Sequence, residues 1–117
     1  DAAPDGGWVG LSEITWIGDD TLLIVERDNQ QRDDAQAKRL YSFSATGITL
    51  APAGMEPPLL AKTLVRDLLV KDDYRLEKIE GAALMKSGEL LVVNDNDGAG
   101  ETRLVRLCGV ISRHRPR

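Results

Sequence analysis

Four carboxylates stand out by type and spacing: Glu13, Glu80, Asp95 and Asp97. Glu80 precedes two small residues in "KIEGAALMKSGELLVVNDNDGAGETR", and the apolar run that follows ends in Asn94-Asp95-Asn96-Asp97. Carboxylates that face one another repel, and a divalent cation held by oxygen relieves them. Asp95 and Asp97 are two positions apart, so on extended chain both side chains point the same way. A bound cation would also supply the fixed positive charge and activated water that phosphoryl chemistry needs. Arg27 carries a planar fork that could meet phosphate bidentately. Structural uses compete with each of these. The glutamates could cap strands or pair with an arginine of a neighbouring unit, the Asn/Asp run could form Asx turns, and Arg27 could make a surface ion pair.

Other chemistries lack their residues. The sole histidine, His114, lies in the basic ending, and Cys108 has no internal partner, so zinc, CxxC and disulfide chemistry fall away. Ser12 in "GLSEI" lacks the second glycine of a nucleophile elbow, and a Ser–His–Asp triad would have to use His114. An EF-hand reading fails because Gly98 as the loop glycine puts Val93 and Leu104 where carboxylates belong. With 15 Lys and Arg against 19 Asp and Glu, the net charge of −4 argues against nucleic acid as a partner. No apolar run is long enough to span a bilayer, and no charged-then-apolar signal opens the sequence.

What positions these residues is a repeat. "GLSEITWIGDDTLLIVERDNQ" with "KRLYSF" resembles "KIEGAALMKSGELLVVNDND" with "TRLVRL". Matching the glutamates pairs Glu13 with Glu80 at an offset of 67, the apolar runs align at 68 and the Arg-Leu pairs at 64. Each unit reads as three short strands, with "GDD" and "KSG" as hairpin turns. The runs "TLLIV" and "ELLVV" are apolar on both faces, as strands covered on both sides would be. "KTLVRDLLV" reads as a fourth strand, with a short amphipathic helix as the alternative. Trp8 and Trp16 are expected in the core or at an interface between units, and "RDNQQRDDAQAKR" as a solvated loop. Repeated four-stranded antiparallel sheets are the blades of a β-propeller. The expected fold is therefore all-β: one blade over 8–70, a second, incomplete blade over 75–110, and a basic tail over 111–117, together a partial propeller domain spanning 1–117. Two blades expose edges and an apolar face, so self-association or pairing with further blades is expected.

Ile79-Glu80-Gly81, Asn94-Asp95-Asn96-Asp97 and Thr102-Arg103-Leu104, with the corresponding stretch from Gly10, resemble the phytase-like β-propeller family, esterase-like activity of phytase. The resemblance covers about Gly10–Leu107. It implies a secreted or periplasmic protein that hydrolyses phosphomonoesters such as phytate, or other esters, with calcium. On that reading Glu80 and Asp95 are the expected catalytic residues, Arg27 and Arg103 the substrate-binding ones, and Glu13, Glu80, Asp95 and Asp97 the calcium ligands. The rival reading is a non-catalytic propeller module that binds a ligand or protein at its channel mouth, and a third is a purely structural part of a larger assembly.

Overall fold

A computed structural model describes residues 7–98 and 100–112. The described chain is all-β apart from two short helical turns. Strand β1 (Val9–Gly18) pairs with β2 (Thr21–Asp28), β2 with β3 (Lys38–Ser44), and β3 with β4 (Thr63–Asp67), all antiparallel and in chain order. A second antiparallel sheet runs β5 (Ile79–Leu84), β6 (Leu90–Asn94), β7 (Leu104–Leu107). The doubly apolar runs are the central strands β2 and β6, as their sequences require.

Turn chemistry sets the registers. Gly18 faces Thr21, which leaves Asp19 and Asp20 as a two-residue loop with both residues at positive φ (46° and 56°). That combination matches the right-handed twist of the strands. In the second hairpin Met85 and Glu89 close the turn through an N–H···O bond of 2.9 Å, and Gly88 takes the left-handed conformation at φ 92°.

The segment expected as one strand divides at Asp67. Thr63–Asp67 forms β4, and Leu68–Asp72 then coils into a single helical turn, α1. Asp67 is the reason. Its carboxylate accepts from the N–H groups of Leu69 (3.1 Å) and Val70 (3.2 Å), an N-cap that favours helix over continued strand. Asp73, at φ 50°, ends the turn.

The core lies between the two sheets. Leu23, Val25 and Leu40 come from the first sheet, and Ile79, Leu90, Val92 and Leu107 from the second, with Leu68 and Tyr74 from the connection. Burying each large side chain stabilises by roughly 1.5–3 kcal/mol. Neither tryptophan joins this core: Trp8 and Trp16 are 50% and 68% exposed. Trp16 instead shares an uncovered apolar stripe of β1 with Leu11 and Ile14.

Tyr74 is the core's weak point. Among the described residues its buried hydroxyl has no hydrogen-bond partner, and burial pushes its pKa up to about 12. An unsatisfied buried hydroxyl costs about 1–3 kcal/mol. Tyr74→Phe is therefore expected to stabilise the protein by about 1 kcal/mol in urea denaturation. The wild type should lose stability between pH 10 and about 12, because the unfolded chain's Tyr74 ionises first, at its ordinary value near 10.0. The Phe variant should lack that component of the loss.

Candidate functional site

The predicted residues collect at one end of the two sheets, where β2 and β6 finish and β5 begins. Asp95 donates its N–H to the carbonyl of Lys78 (2.7 Å), and Ile79 faces Asn94, so the NDND run returns to the level of Glu80. The first strands of the two sheets, β1 and β5, lie against each other here. Ser12 Oγ donates to the Ile79 carbonyl at 2.6 Å, and Ala82 N–H donates to Glu13 Oε2 at 3.2 Å.

Two β-bulges aim the side chains. Leu11 faces Glu26 and Glu13 faces Val25, leaving Ser12 as the extra residue of β1. In β5, Ile79 faces Asn94 and Gly81 faces Val93, leaving Glu80 as the extra residue. Bulges re-aim a side chain and recur next to functional sites. They also correct the sequence alignment. The registers match Ser12 with Glu80, and Glu13 with Gly81, so the two glutamates are not repeat equivalents. A single offset holds along the whole of both hairpins.

The register explains the small residue after Glu80. A Cβ at Gly81 would come within 2.9 Å of Val93 Cγ1 and 3.9 Å of Glu13 Oε2. Gly81 thus leaves room for Val93 on the facing strand, with Glu13 of the neighbouring sheet at ordinary contact distance. Glu13 is held structurally, its other oxygen accepting from the N–H of Ile14 at 2.8 Å.

Glu80 pairs with Arg27, joining the two sheets by an ion pair. The side chain of Arg27 is only 6% exposed, whereas that of Glu80 is 39% exposed. Arg27 also lies 4.7 Å from the centre of the Trp8 ring, a cation–π contact. Among the described residues its Nε and Nη1 are buried without partners, as is Glu26 Oε1, although Glu26 pairs with Lys62. The expected surface arginine is a buried one.

Beside it, Asp28 and Lys38 form a fully buried pair at 2.8 Å. Asp28 also accepts from the N–H groups of Gln36 (2.5 Å) and Ala37 (2.8 Å), and Lys38 donates to the carbonyls of Asp28 (3.3 Å) and Gln30 (2.8 Å). Burial acts to raise the Asp28 pKa, but the ammonium and the two N–H groups outweigh it and hold the carboxyl below its ordinary value. Burial pulls the Lys38 pKa down against the attraction of Asp28. The loop 29–37, expected to be a solvated excursion, is instead folded around this pair, with Ala35 and Ala37 buried.

The remaining predicted carboxylates meet a lysine. Lys78 Nζ lies 2.5 Å from Asp97 and 3.8 Å from Asp95. The hydrogen bond to Asp97 raises the Lys78 pKa, and the same bond lowers that of Asp97. Asp97 N–H donates to Asp95 Oδ1 (3.1 Å) and Gly98 N–H to Asn96 Oδ1 (2.8 Å), so the run makes successive Asx turns. Asn94 is buried and braces the next loop, accepting from Arg103 N–H (2.8 Å) and donating to the Glu101 carbonyl (3.1 Å).

Among the described residues, no three His, Cys, Asp or Glu side chains come together as a metal-binding group. Calcium takes six to eight oxygens. Here Glu80 is compensated by Arg27, Asp95 and Asp97 by Lys78, and Glu13 by backbone N–H groups. The four expected ligands as arranged do not fit that ion.

Arg103 is paired with Glu101 at 2.6 Å and lines a cleft of about 410 Å³ at this end of the sheets. Asn94, Asn96, Arg32 and Arg75 line it too. Arg32 and Arg75 were not singled out in the sequence, where they sit in charged stretches with no periodicity. The tail arginines and His114 lie outside the described residues.

A family model for "Phytase-like: Esterase-like activity of phytase" matches residues 1–98. The chain belongs to the phytase-like family. Among curated proteins and among solved structures, none matches it. Membership carries an esterase-type function at the level of the family.

Proposed function

We propose that the chain forms two neighbouring blades of a propeller whose strands β1 and β5 line the site of a phosphomonoester hydrolase. Two features support the blades: the sheets place their first strands side by side, and β1 leaves Leu11, Ile14 and Trp16 uncovered, as a blade facing a further neighbour would. Further blades or a second copy would cover that stripe, and a secreted or periplasmic location accompanies this reading.

The observation that carries the hydrolase reading is the Arg27–Glu80 pair. A half-exposed carboxylate on a bulge is backed by a buried guanidinium. In this mechanism Arg27 fixes Glu80 Oε1, and Oε2 accepts a proton from the attacking water. Asp95, exposed at the same hairpin end beside Lys78, stands as the second carboxylate, and the leaving oxygen takes its proton from water. Arg27 positions Glu80, and Arg103 is the arginine available to substrate. No step passes through calcium.

The test is phosphate release from phytate and p-nitrophenyl phosphate, and hydrolysis of p-nitrophenyl acetate, by the protein with and without calcium. Glu80→Gln should lower turnover by about 10²–10⁴-fold, the usual contribution of a general base. Absence of turnover, or an unchanged Gln variant, would sink the hydrolase reading. One observation favours a binding module instead: Lys78 already neutralises Asp95 and Asp97. Ligand capture without turnover would support that alternative.

A further inference from the structure

Each sheet turns one face to the core and leaves the other open, and the registers say which residues lie on each. In the first sheet Leu23, Val25 and Leu40 point into the core, and in the second Leu90, Val92 and Leu107 do so. Successive residues of a strand alternate between faces. Leu22 and Ile24 therefore belong to the outer face of the first sheet, and Leu91 and Val93 to the outer face of the second.

The repeat relates these faces crosswise. On the offset of 68 shared by the hairpins, buried Leu23 and Val25 correspond to Leu91 and Val93 on the outer face. Leu22 and Ile24, on the outer face, correspond to Leu90 and Val92 in the core. The third strands continue the pattern at an offset of 64, where buried Leu40 corresponds to exposed Leu104. The contact inside the chain thus joins one face of the first unit to the opposite face of the second. The two faces left open are the repeat equivalents of the two that already pack together.

Both open faces are apolar where their counterparts form core. On the first sheet Trp16 lies beside Leu22 and Phe43, and Ile14 beside Ile24 and Tyr41. The equivalent rows of the second sheet are Leu84–Leu90–Leu107 and Ala82–Val92–Val105, every member in the core or packed against it. A groove of about 400 Å³ opens over Leu11, Ile14 and Ile24. On the outer face of the second sheet Val93 lies between Gly81 and Leu104. A contiguous apolar face with exposed large side chains marks a protein contact.

We infer that the outer face of the first sheet docks on the outer face of the second sheet of another copy of this chain, head to tail. That docking repeats the contact joining the two sheets within one copy. The inference rests on the stacking of the two units as blades and not on hydrolysis. One chain carries both halves of the contact, so a second copy suffices as the occupant. The pairing is heterologous: each copy takes one neighbour on either side, and the series closes into a ring or continues.

Sedimentation velocity over about 1–100 μM tests it, and the wild type should associate within that range. Ile14→Glu blocks one face and Leu104→Glu the other. Both side chains are exposed, so circular dichroism and melting temperature should stay near those of the wild type. A contact that needs one face of each kind fails in either variant alone, and each should lose self-association by about tenfold or more in affinity. Mixed together, the two variants still offer one intact face of each kind, and they should form a one-to-one dimer and nothing larger. Unfolding of either variant could not produce that recovery. A Leu104→Glu variant that still dimerises would show like faces pairing, and would overturn both the head-to-tail contact and the blade order. A wild type that stays monomeric, or folded variants that do not pair on mixing, would overturn the contact between copies while the stacking within the chain stands.

Discussion

Asp28→Ala is expected to cost about 3–5 kcal/mol, a large share of the roughly 5–15 kcal/mol that holds a domain together. The variant would leave the Lys38 ammonium fully buried with only carbonyl oxygens around it. It would also release the N–H groups of Gln36 and Ala37 that fold the loop 29–37 onto the sheet. Lys38→Met should cost less, because the Asp28 carboxylate keeps those two N–H donors. The double variant Asp28→Ala, Lys38→Met should recover part of the loss, since it carries no stranded charge. Urea denaturation of the wild type, both single variants and the double variant measures this directly. Equal losses for all three would show that the pair is not what anchors the loop.

The same pair sets a pH dependence. The folded-state pKa of Asp28 lies below its ordinary value, so its contribution is present above the unfolded value and is lost as pH falls through the folded one. Stability should decline below about pH 4, and Asp28→Asn should flatten that decline.

Local signals in the sequence led to the right strands and misled elsewhere for identifiable reasons. The hairpin turns were legible because Asp19-Asp20 and Ser87-Gly88 carry their own backbone preferences. The central strands were legible because Leu22–Val25 and Leu90–Val93 are apolar on both faces. The cap at Asp67 was missed because its effect depends on the two N–H groups that follow, whereas the repeat argued for continued strand. Buried charge is the harder case. Asp28 and Lys38 sit in a polar stretch that reads as solvated, and nothing local says that two residues ten apart meet across a closed loop. The one-residue error in matching Glu13 to Glu80 has the same origin. Bulges are long-range features of pairing, visible only once Leu11 faces Glu26 and Ile79 faces Asn94. The carboxylates singled out in the sequence do meet at one end of the sheets, where Glu80 pairs with Arg27 and Asp97 with Lys78.

Arg27 and Glu80 should respond to substitution asymmetrically. Glu80→Ala strands a guanidinium that already has two unpartnered nitrogens in the interior, and a loss of about 3 kcal/mol is expected. Arg27→Met removes the buried charge and those two unsatisfied groups together while keeping much of the volume against Trp8. Glu80, being partly exposed, can then be solvated. That variant should lie within about 1 kcal/mol of wild type or be more stable, because replacing buried ions by well-packed apolar groups is often neutral or stabilising. If Arg27 serves only to join the sheets, Arg27→Met should leave esterase or phosphatase turnover intact. If it positions Glu80 for proton transfer, turnover should fall by about tenfold or more, with stability unchanged or improved. Denaturation and kinetics on one variant thus separate the two roles. A buried arginine retained at the expense of stability is what a site, rather than a scaffold, would keep. A destabilised Arg27→Met with full activity would reverse that argument.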